Sequence, residues 1–432
     1  MSLSALSTDL YELSMIGGYY TARLSSLATF DLFVRKLPPT RRFLVAAGLE
    51  QALAFLEQFH FTSDDIRFLR QVPGLSALPP AFFDDYLPRF RFTGNVWAVE
   101  EGTPVFAQEP LMRVTAPIAE AQVVETALIA EIMFPTSVAS RAARVVEAAA
   151  GRDVMEFGAR RAHGINAAVR AARAAYLAGF ESTSLVEAGR RFGIPLSGTM
   201  AHSWVMAFAT EREAFEAYAR TYGADAVLLI DTYDSIAAAR AIVSSGLTPR
   251  AVRLDSGDLI AISRDVRRIL DEGGLQATRI VVSSDLDESR IAELVASAAP
   301  IDGFGVGTSV STSSDAPALS GVYKLAEIER SGQMIGVVKK SPGKQTYPCS
   351  KQVWRVMRDG RASRDVVALA TGTAPQDARP LLTHVMMDGK RLPGTSLAAA
   401  RQRCREQIAE LPSEIRRLPE GPDYEVEIRI AP

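Results

Sequence analysis

Apolar residues recur every three to four positions through the first part of the chain. LVAAGLEQALAFLEQF (Leu44–Phe59) has the period of an amphipathic helix, and Thr62-Ser63-Asp64-Asp65 supplies a cap for the helix after it. On this pattern residues 1–92 are expected to be mostly helical. The period then shortens. FRFTGNVWAVEEGTPVFAQEPLMRVTAP (Phe90–Pro117) alternates in short runs broken by Gly94, Gly102, Pro104 and Pro110, which predicts a small antiparallel β module. Ala119–Ala150 returns to helical spacing and is rich in alanine.

From residue 153 on, short apolar runs end in polar or glycine-rich turns, and a helical segment follows each. The runs are DVMEFG (153–158), GFESTS (179–184), PLSGTMAHS (195–203), AVLLIDTYD (226–234), AVRLDSGD (251–258), RIVVSSDLD (279–287) and DGFGVGTS (302–309). They are continuously apolar where a half-exposed strand would alternate, as expected of parallel strands covered on both faces. The predicted fold class is α/β: an irregular β/α barrel with about seven parallel strands, plus an α+β domain built from N- and C-terminal segments. The barrel is expected over 151–320, after the helical segments and β module of 1–150. Strands and basic turns (GVYKLAEIE, GVVKKSPGKQTYP, KQVWRVM) and a helical tail (Leu397–Leu411) make up 321–432, expected to pack on the N-terminal module. No GxGxxG follows an early strand, which weighs against a dinucleotide fold.

Composition narrows the function classes. The chain has 432 residues with 48 basic and 50 acidic side chains, a net charge of −2, so no basic excess points to nucleic acid. Its two cysteines, Cys349 and Cys404, form neither a disulfide framework nor a metal spacing, which suits a reducing compartment. MSLSALSTDLYELSM lacks the basic and apolar blocks of a signal peptide, and no apolar run reaches membrane-helix length. The expectation is a soluble cytoplasmic protein with neither nucleic-acid nor membrane partners.

Chemistry-bearing residues gather where the predicted strands end, the face on which catalytic groups of a β/α barrel converge. In GFGVGTS, Gly305 and Gly307 let backbone N–H groups turn towards an anion and Thr308 adds a hydroxyl, as in a phosphate cradle; a plain barrel-closing turn would look the same. In RLDSGDL, Asp255 beside Arg253 could accept from a ribose diol, face a Mg²⁺ held by a polyphosphate, or form a rim ion pair. SSDLDE adds Ser284 and Asp285, which could also cap a helix. FGARRAHG sets the Phe157 ring near Arg160 and Arg161, a pairing that suits a flat anionic ring but also ordinary core packing. His202, one of four histidines, lies in PLSGTMAHSWV among small and hydroxyl residues. A neutral imidazole there can act as nucleophile or base, and a lone histidine can equally be structural. No cysteine or second histidine sits at zinc spacing, and no metal site is expected from the protein alone.

Taken in order, these motifs resemble the nicotinate phosphoribosyltransferase family over nearly the whole chain. TDLYELSMIGGYY (8–20) and FDLFVRKLPPTRRFLVAAGLEQALAFL (30–56) match its N-terminal region, and EFGARRAHG, GTMAHSW, IDTYD, RLDSGDL and GVGT follow in its order. The resemblance implies conversion of nicotinate and phosphoribosyl pyrophosphate to nicotinate mononucleotide and pyrophosphate in NAD salvage. ATP hydrolysis would be coupled through phosphorylation of His202, with Mg²⁺ accompanying the phosphates. Thr199 and Ser203 would be donors to that phosphoryl group. Phe157 and Tyr11 would sandwich the pyridine, Tyr11 coming from the partner in a homodimer with interfacial active sites. Arg160 would lie near the ring carboxylate or the nucleotide phosphate. Asp255 would hold the ribose, with Ser284 and Asp285 beside it, and Gly305, Gly307 and Thr308 would cradle the 5′-phosphate. Arg253, Arg35 and Lys340 are candidates for the pyrophosphate. YPCSKQVWR (347–355) departs from the family in carrying Cys349-Ser350 where a glycine is expected after the proline, which puts Lys351 in doubt as a ligand. A nicotinamide- or quinolinate-using transferase, and a barrel that binds without catalysing, are the alternatives.

Overall fold

The structure is a computed structural model that describes residues 3–339, 346–417 and 421–431. Two compact units divide the chain, one formed by Met1–Ser140 with Ala316–Pro432 and the other by Arg141–Asp315.

In the first unit, residues far apart in sequence share one antiparallel sheet. Leu27–Val34 pairs with Gly321–Arg330 on one side and Pro110–Pro117 on the other, within a seven-stranded order that ends on Leu382–Met387 and Lys390–Arg391. Helix α1 (Leu10–Thr21) precedes it. The expectation that residues 1–92 are mostly helical fails at Leu27–Val34, a strand with seven of its eight residues buried. Burial on both faces erases the alternation that would mark a strand. Its one charge, Asp31, is neutralised by Lys351 Nζ at 2.6 Å, and both are buried. The predicted cap holds: Thr62 Oγ1 accepts from the Asp65 amide at 3.1 Å, and Asp65 accepts from the Thr62 amide at 2.8 Å. Cys349 has φ 65°, the left-handed conformation in which a glycine is unstrained, so the expected glycine has a conformational reason. Lys351, held by Asp31 and by the Cys349 carbonyl at 2.7 Å, is committed inside this unit.

The second unit is built on a parallel half-barrel. Its strands are β1 (Asp153–Glu156), β2 (Ser182–Thr183), β3 (Val227–Leu229), β4 (Ala251–Leu254), β5 (Arg279–Ser283) and β6 (Gly303–Val306), in the order β2-β1-β6-β5-β4-β3. Six strands form where about seven were expected, because PLSGTMAHS is not a strand. Leu196 makes a single bridge to Thr183, and the hydroxyl of Thr199 donates to the Val227 carbonyl at 2.5 Å. The segment therefore runs between the edge strands β2 and β3 on isolated bonds. Pro195 has no N–H for a ladder and Gly198 no side chain to pack, so a regular strand is disfavoured there. His202 consequently lies at the start of a short helix, α2 (His202–Met206), and not at a strand end. The inner faces of the strands line a cavity of about 440 Å³, with Met155, Phe157, Arg253 and Val281 among its walls.

Candidate active site

The carboxyl ends of β3, β4 and β5 bring an acid–base cluster together. Ser283, the last residue of β5, donates its hydroxyl to Asp255 Oδ1 and accepts from Arg253 Nε at 2.9 Å. Arg253 Nη2 lies 3.4 Å from the same Asp255 oxygen. His202 reaches in from α2 with Nε2 3.9 Å from Asp255 Oδ2 and Nδ1 3.2 Å from Thr232 Oγ1. Burial disfavours charge on Asp255, but the Ser283 hydroxyl, the Arg253 guanidinium and His202 outweigh it and hold the carboxyl below its usual range. The group is therefore an anion at neutral pH, with Oδ2 turned towards the imidazole.

A second carboxylate shapes this loop from behind. Asp231 Oδ2, just past β3, accepts from the Asp255 amide at 2.9 Å and from the Ser256 hydroxyl at 2.6 Å, while its buried Oδ1 has no hydrogen-bond partner. Three strand ends share a division of labour. Asp234, Asp258 and Asp287 cap the helices that follow, whereas Asp231, Asp255 and Asp285 precede them at the strand ends.

The Phe157 ring sits over Gly305. A Cβ on Gly305 would come 2.5 Å from Phe157 Cδ2 and 3.2 Å from Ser283 Cβ, so this position admits only glycine while the ring is in place. Gly158 is confined likewise, a Cβ there meeting Ser311 Oγ at 2.5 Å. Glu156, buried at the end of β1, fixes the Phe157–Gly158 turn by accepting from the Gly158 amide at 2.5 Å and the Thr183 hydroxyl at 2.6 Å. Burial raises its carboxyl pKa, opposed by these two bonds. Gly305 thus makes room for an aromatic ring. Gly307 caps the short helix α3 (Thr308–Ser311), on which Thr308 is exposed.

The remaining expected residues do not share one setting. Ser284 has φ 144°, a strained conformation for serine, and it and Asp285 are exposed next to Ser283. Arg160 is exposed on a 3₁₀ turn (Ala159–Arg161), and the Thr199 hydroxyl is spent on Val227. Tyr11 and Arg35 belong to the first unit. There Tyr11 is 48% exposed and donates to Glu12 Oε1 at 3.2 Å, and burial of its hydroxyl together with Glu125 and Glu12 raises its pKa. Lys340 lies outside the described residues. Sequence reasoning missed Asp231, Thr232, Ser283 and Glu156. A repeated signal was available for Asp231, since IDTYD and LDSGD share the spacing of a strand-end acid followed by a capping acid.

Comparison with known proteins decides the relationship. The N-terminal domain model of nicotinate phosphoribosyltransferase matches residues 6–133, the family model 153–368 and the C-terminal domain model 371–429. The chain belongs to the nicotinate phosphoribosyltransferase family. The Mycobacterium tuberculosis nicotinate phosphoribosyltransferase pncB2 is 46% identical over 99% of this chain and 92% of its own length. The human nicotinate phosphoribosyltransferase is 31% identical over 98% and 94%. A crystal structure of human nicotinic acid phosphoribosyltransferase superposes with a TM-score of 0.86 at 28% identity, covering 98% of this chain and 97% of that one. The His202–Asp255–Ser283 cluster and the Phe157–Gly305 seat both lie within the span of the nicotinate phosphoribosyltransferase family model. Among the described residues no helix is long and apolar enough to cross a membrane.

Proposed function

We propose that this chain is a nicotinate phosphoribosyltransferase, joining nicotinate to phosphoribosyl pyrophosphate to form nicotinate mononucleotide and pyrophosphate, with ATP hydrolysis coupled through His202. The observation that carries the reading is the meeting of His202 and Asp255 beside Ser283, whose Cβ also borders the glycine seat of the Phe157 ring. An anionic carboxylate, a nucleophilic imidazole and an aromatic platform are the groups this reaction needs.

Pyrophosphate departure from the anomeric carbon builds oxocarbenium-like positive charge on the ribose, which the Asp255 carboxylate tolerates while accepting from ribose hydroxyls. The pyridine nitrogen of nicotinate carries no proton, so its attack needs no base, and positioning by the Phe157 ring dominates. Arg160 would meet the ring carboxylate or the nucleotide phosphate. Gly305, Gly307 and Thr308 would flank the 5′-phosphate, with Ser284 and Asp285 towards the ribose and Arg253 towards the pyrophosphate. Asp255 beside Nε2 favours the proton there, leaving the Nδ1 lone pair, which faces Thr232, to attack the γ-phosphorus of ATP as ADP leaves. With its hydroxyl held by Val227, Thr199 serves to shape the segment before His202 and is a poor candidate donor to the phosphoryl group.

The donor set suits Mg²⁺ arriving with phosphates, since that ion takes one or two carboxylates along with phosphate oxygens, and Asp231 Oδ1 and Asp255 Oδ2 are available anionic oxygens. When bound, the ion would neutralise charge on the leaving pyrophosphate. Tyr11 would cover the other ring face from a second copy of the chain, making a homodimer the working unit. We place the enzyme in the cytoplasm, where its cysteines, Cys349 and Cys404, would remain thiols.

The test is nucleotide formation from nicotinate and phosphoribosyl pyrophosphate, with and without ATP. Product that rises on adding ATP supports the assignment. No product, or faster turnover of nicotinamide than of nicotinate, would overturn it.

A further inference from the structure

The loops that leave β5 and β6 are tied together at a point where neither is expected to touch a ligand. Ser309, the second residue of α3, turns its hydroxyl back and donates to the Leu286 carbonyl at 2.6 Å. Leu286 is buried at 2% exposure, and its amide donates to the Ser284 carbonyl at 2.8 Å. Between the strand end and this tie lie the exposed Ser284, at φ 144°, and Asp285.

Both flanks of the loop are anchored as well. On the strand side, Ser283 bonds Asp255 and Arg253. On the far side, Asp287 caps helix α4 (Glu288–Ala296), and buried Glu288 is held by Arg141 and Arg144 at 2.8 Å each. The same two arginines hold Asp315, beyond α3, at 2.7 and 3.3 Å. Ion pairs therefore fix where each loop ends, but they leave the conformation of Ser284–Asp285 open. A strained non-glycine residue persists only where its surroundings over-determine it. Among the described residues, the Ser309–Leu286 bond is the hydrogen bond that ties the middle of this loop to another element.

We propose that Ser309 is a positioning residue that locks the β5 loop to the β6 loop, so that Ser284–Asp285 and Gly307–Thr308 present a single preformed surface to the phosphoribosyl group. This rests on the phosphoribosyl-transfer reading. Ser309 spends its hydroxyl on the Leu286 carbonyl, so it acts on substrate through the loop. Without the tie, binding has to order Ser284–Asp285, and the apparent affinity for phosphoribosyl pyrophosphate falls by the fraction of chains that are ordered. The Phe157 platform stands on β1 and β6 and is unaffected, so nicotinate affinity should not follow.

The test compares the wild-type chain with Ser309→Ala and Ser309→Thr, by steady-state kinetics and by hydrogen–deuterium exchange of the ligand-free chain. Loss of one net hydrogen bond sets the scale: the Ala variant should raise KM for phosphoribosyl pyrophosphate about 3- to 10-fold. KM for nicotinate and kcat should stay within about twofold, and exchange over 284–287 should accelerate. The Thr variant, which keeps the hydroxyl, should restore both readouts. Unchanged exchange in the Ala variant, or an equal rise in both KM values, would overturn the proposal. A wild-type chain that forms no nucleotide would overturn the reaction instead, and the exchange comparison would still decide whether the tie orders the loop.

Discussion

Gly305→Ala tests whether the Phe157 ring is the platform for the pyridine. The new Cβ would lie 2.5 and 2.6 Å from Phe157 Cδ2 and Cε2 and 3.2 Å from Ser283 Cβ. Comfortable carbon–carbon contact is about 3.5–4.0 Å, so the ring must retreat by about 1 Å. Gly305 is not among the glycines with positive φ, so alanine adds no backbone strain and the effect is steric. Overpacking a rigid core costs about 1–3 kcal/mol, and here the low end applies because Phe157 is half-exposed and borders the cavity. In a unit of this size that lowers Tm by about 2–4 °C for each kcal/mol.

Catalysis should suffer more than stability. Misplacing a positioning group by about 1 Å can cost on the order of 100-fold, so nicotinate KM should rise by at least about tenfold. Steady-state kinetics with nicotinate as the varied substrate read this, alongside thermal melts. A double variant, Gly305→Ala with Phe157→Leu, separates the two effects, because the smaller side chain relieves the clash and recovers Tm but leaves no ring to stack on. If Gly305→Ala keeps the wild-type KM while Tm falls, the ring is packing alone and the platform reading is wrong.

Other perturbations address the rest of the site. His202→Ala should abolish ATPase activity and the stimulation by ATP while leaving slow ATP-independent transfer, and full ATP coupling in that variant would refute the phosphoryl-acceptor role. Asp255→Asn should weaken use of phosphoribosyl pyrophosphate far more than it lowers Tm, whereas Asp258→Ala, which removes only a helix cap, should cost about 1 kcal/mol with activity largely kept; the reverse pattern would exchange the roles of the two acids. Because the Asp255 pKa is depressed in the fold, its stabilising contribution is complete above the unfolded value of about 3.9 and is lost as pH falls through the lower folded value. Activity should therefore show no Asp255 titration between pH 5 and pH 8, and a kcat/KM inflection in that range that Asp255→Asn removes would contradict it. Burial pushes the Glu12 carboxyl up to about 7, so between about 4.5 and 7 the unfolded chain has lost a proton that the folded chain keeps. Stability should fall as pH rises through that window, by up to about 3 kcal/mol, and then level off. Thermal melts of Glu12→Gln across pH 4–8 should lack this slope, and an unchanged slope would assign it to another group.

Most of the second unit was legible because β/α repeats carry redundant signals. A run such as AVRLDSGD announces a buried strand, a strand-end acid and a helix cap at once, and six of the seven expected strands form. The failures have local causes. Leu27–Val34 hid because a strand buried on both faces loses its period of two, and because Asp31 interrupts it with a charge that Lys351 neutralises from more than three hundred residues away. No local pattern can report that pairing. PLSGTMAHS deceived in the opposite direction, since its apolar and small residues suit a strand but Pro195 and Gly198 cannot sustain a ladder.

The missed residues share a different cause. Ser283 and Asp231 act on Asp255, and Glu156 acts on the turn that presents Phe157, so their importance lies in what they hold. A serine at the end of a strand or a glutamate inside one carries no chemical signature by itself. The glycines show the same limit from the other side. In GFGVGTS, composition suggested an anion cradle, and the structure gives Gly305 a more specific task, the clearance for an aromatic ring two strand residues before the Gly307 turn. One motif thus combines a steric requirement set by the Phe157 ring with a backbone turn at Gly307. A phosphate cradle alone would not require glycine at 305, whereas the Phe157 ring does. That requirement means that a substitution at Gly305 should change nicotinate binding before it changes phosphate binding, a separation that the kinetics of the alanine variant measure directly.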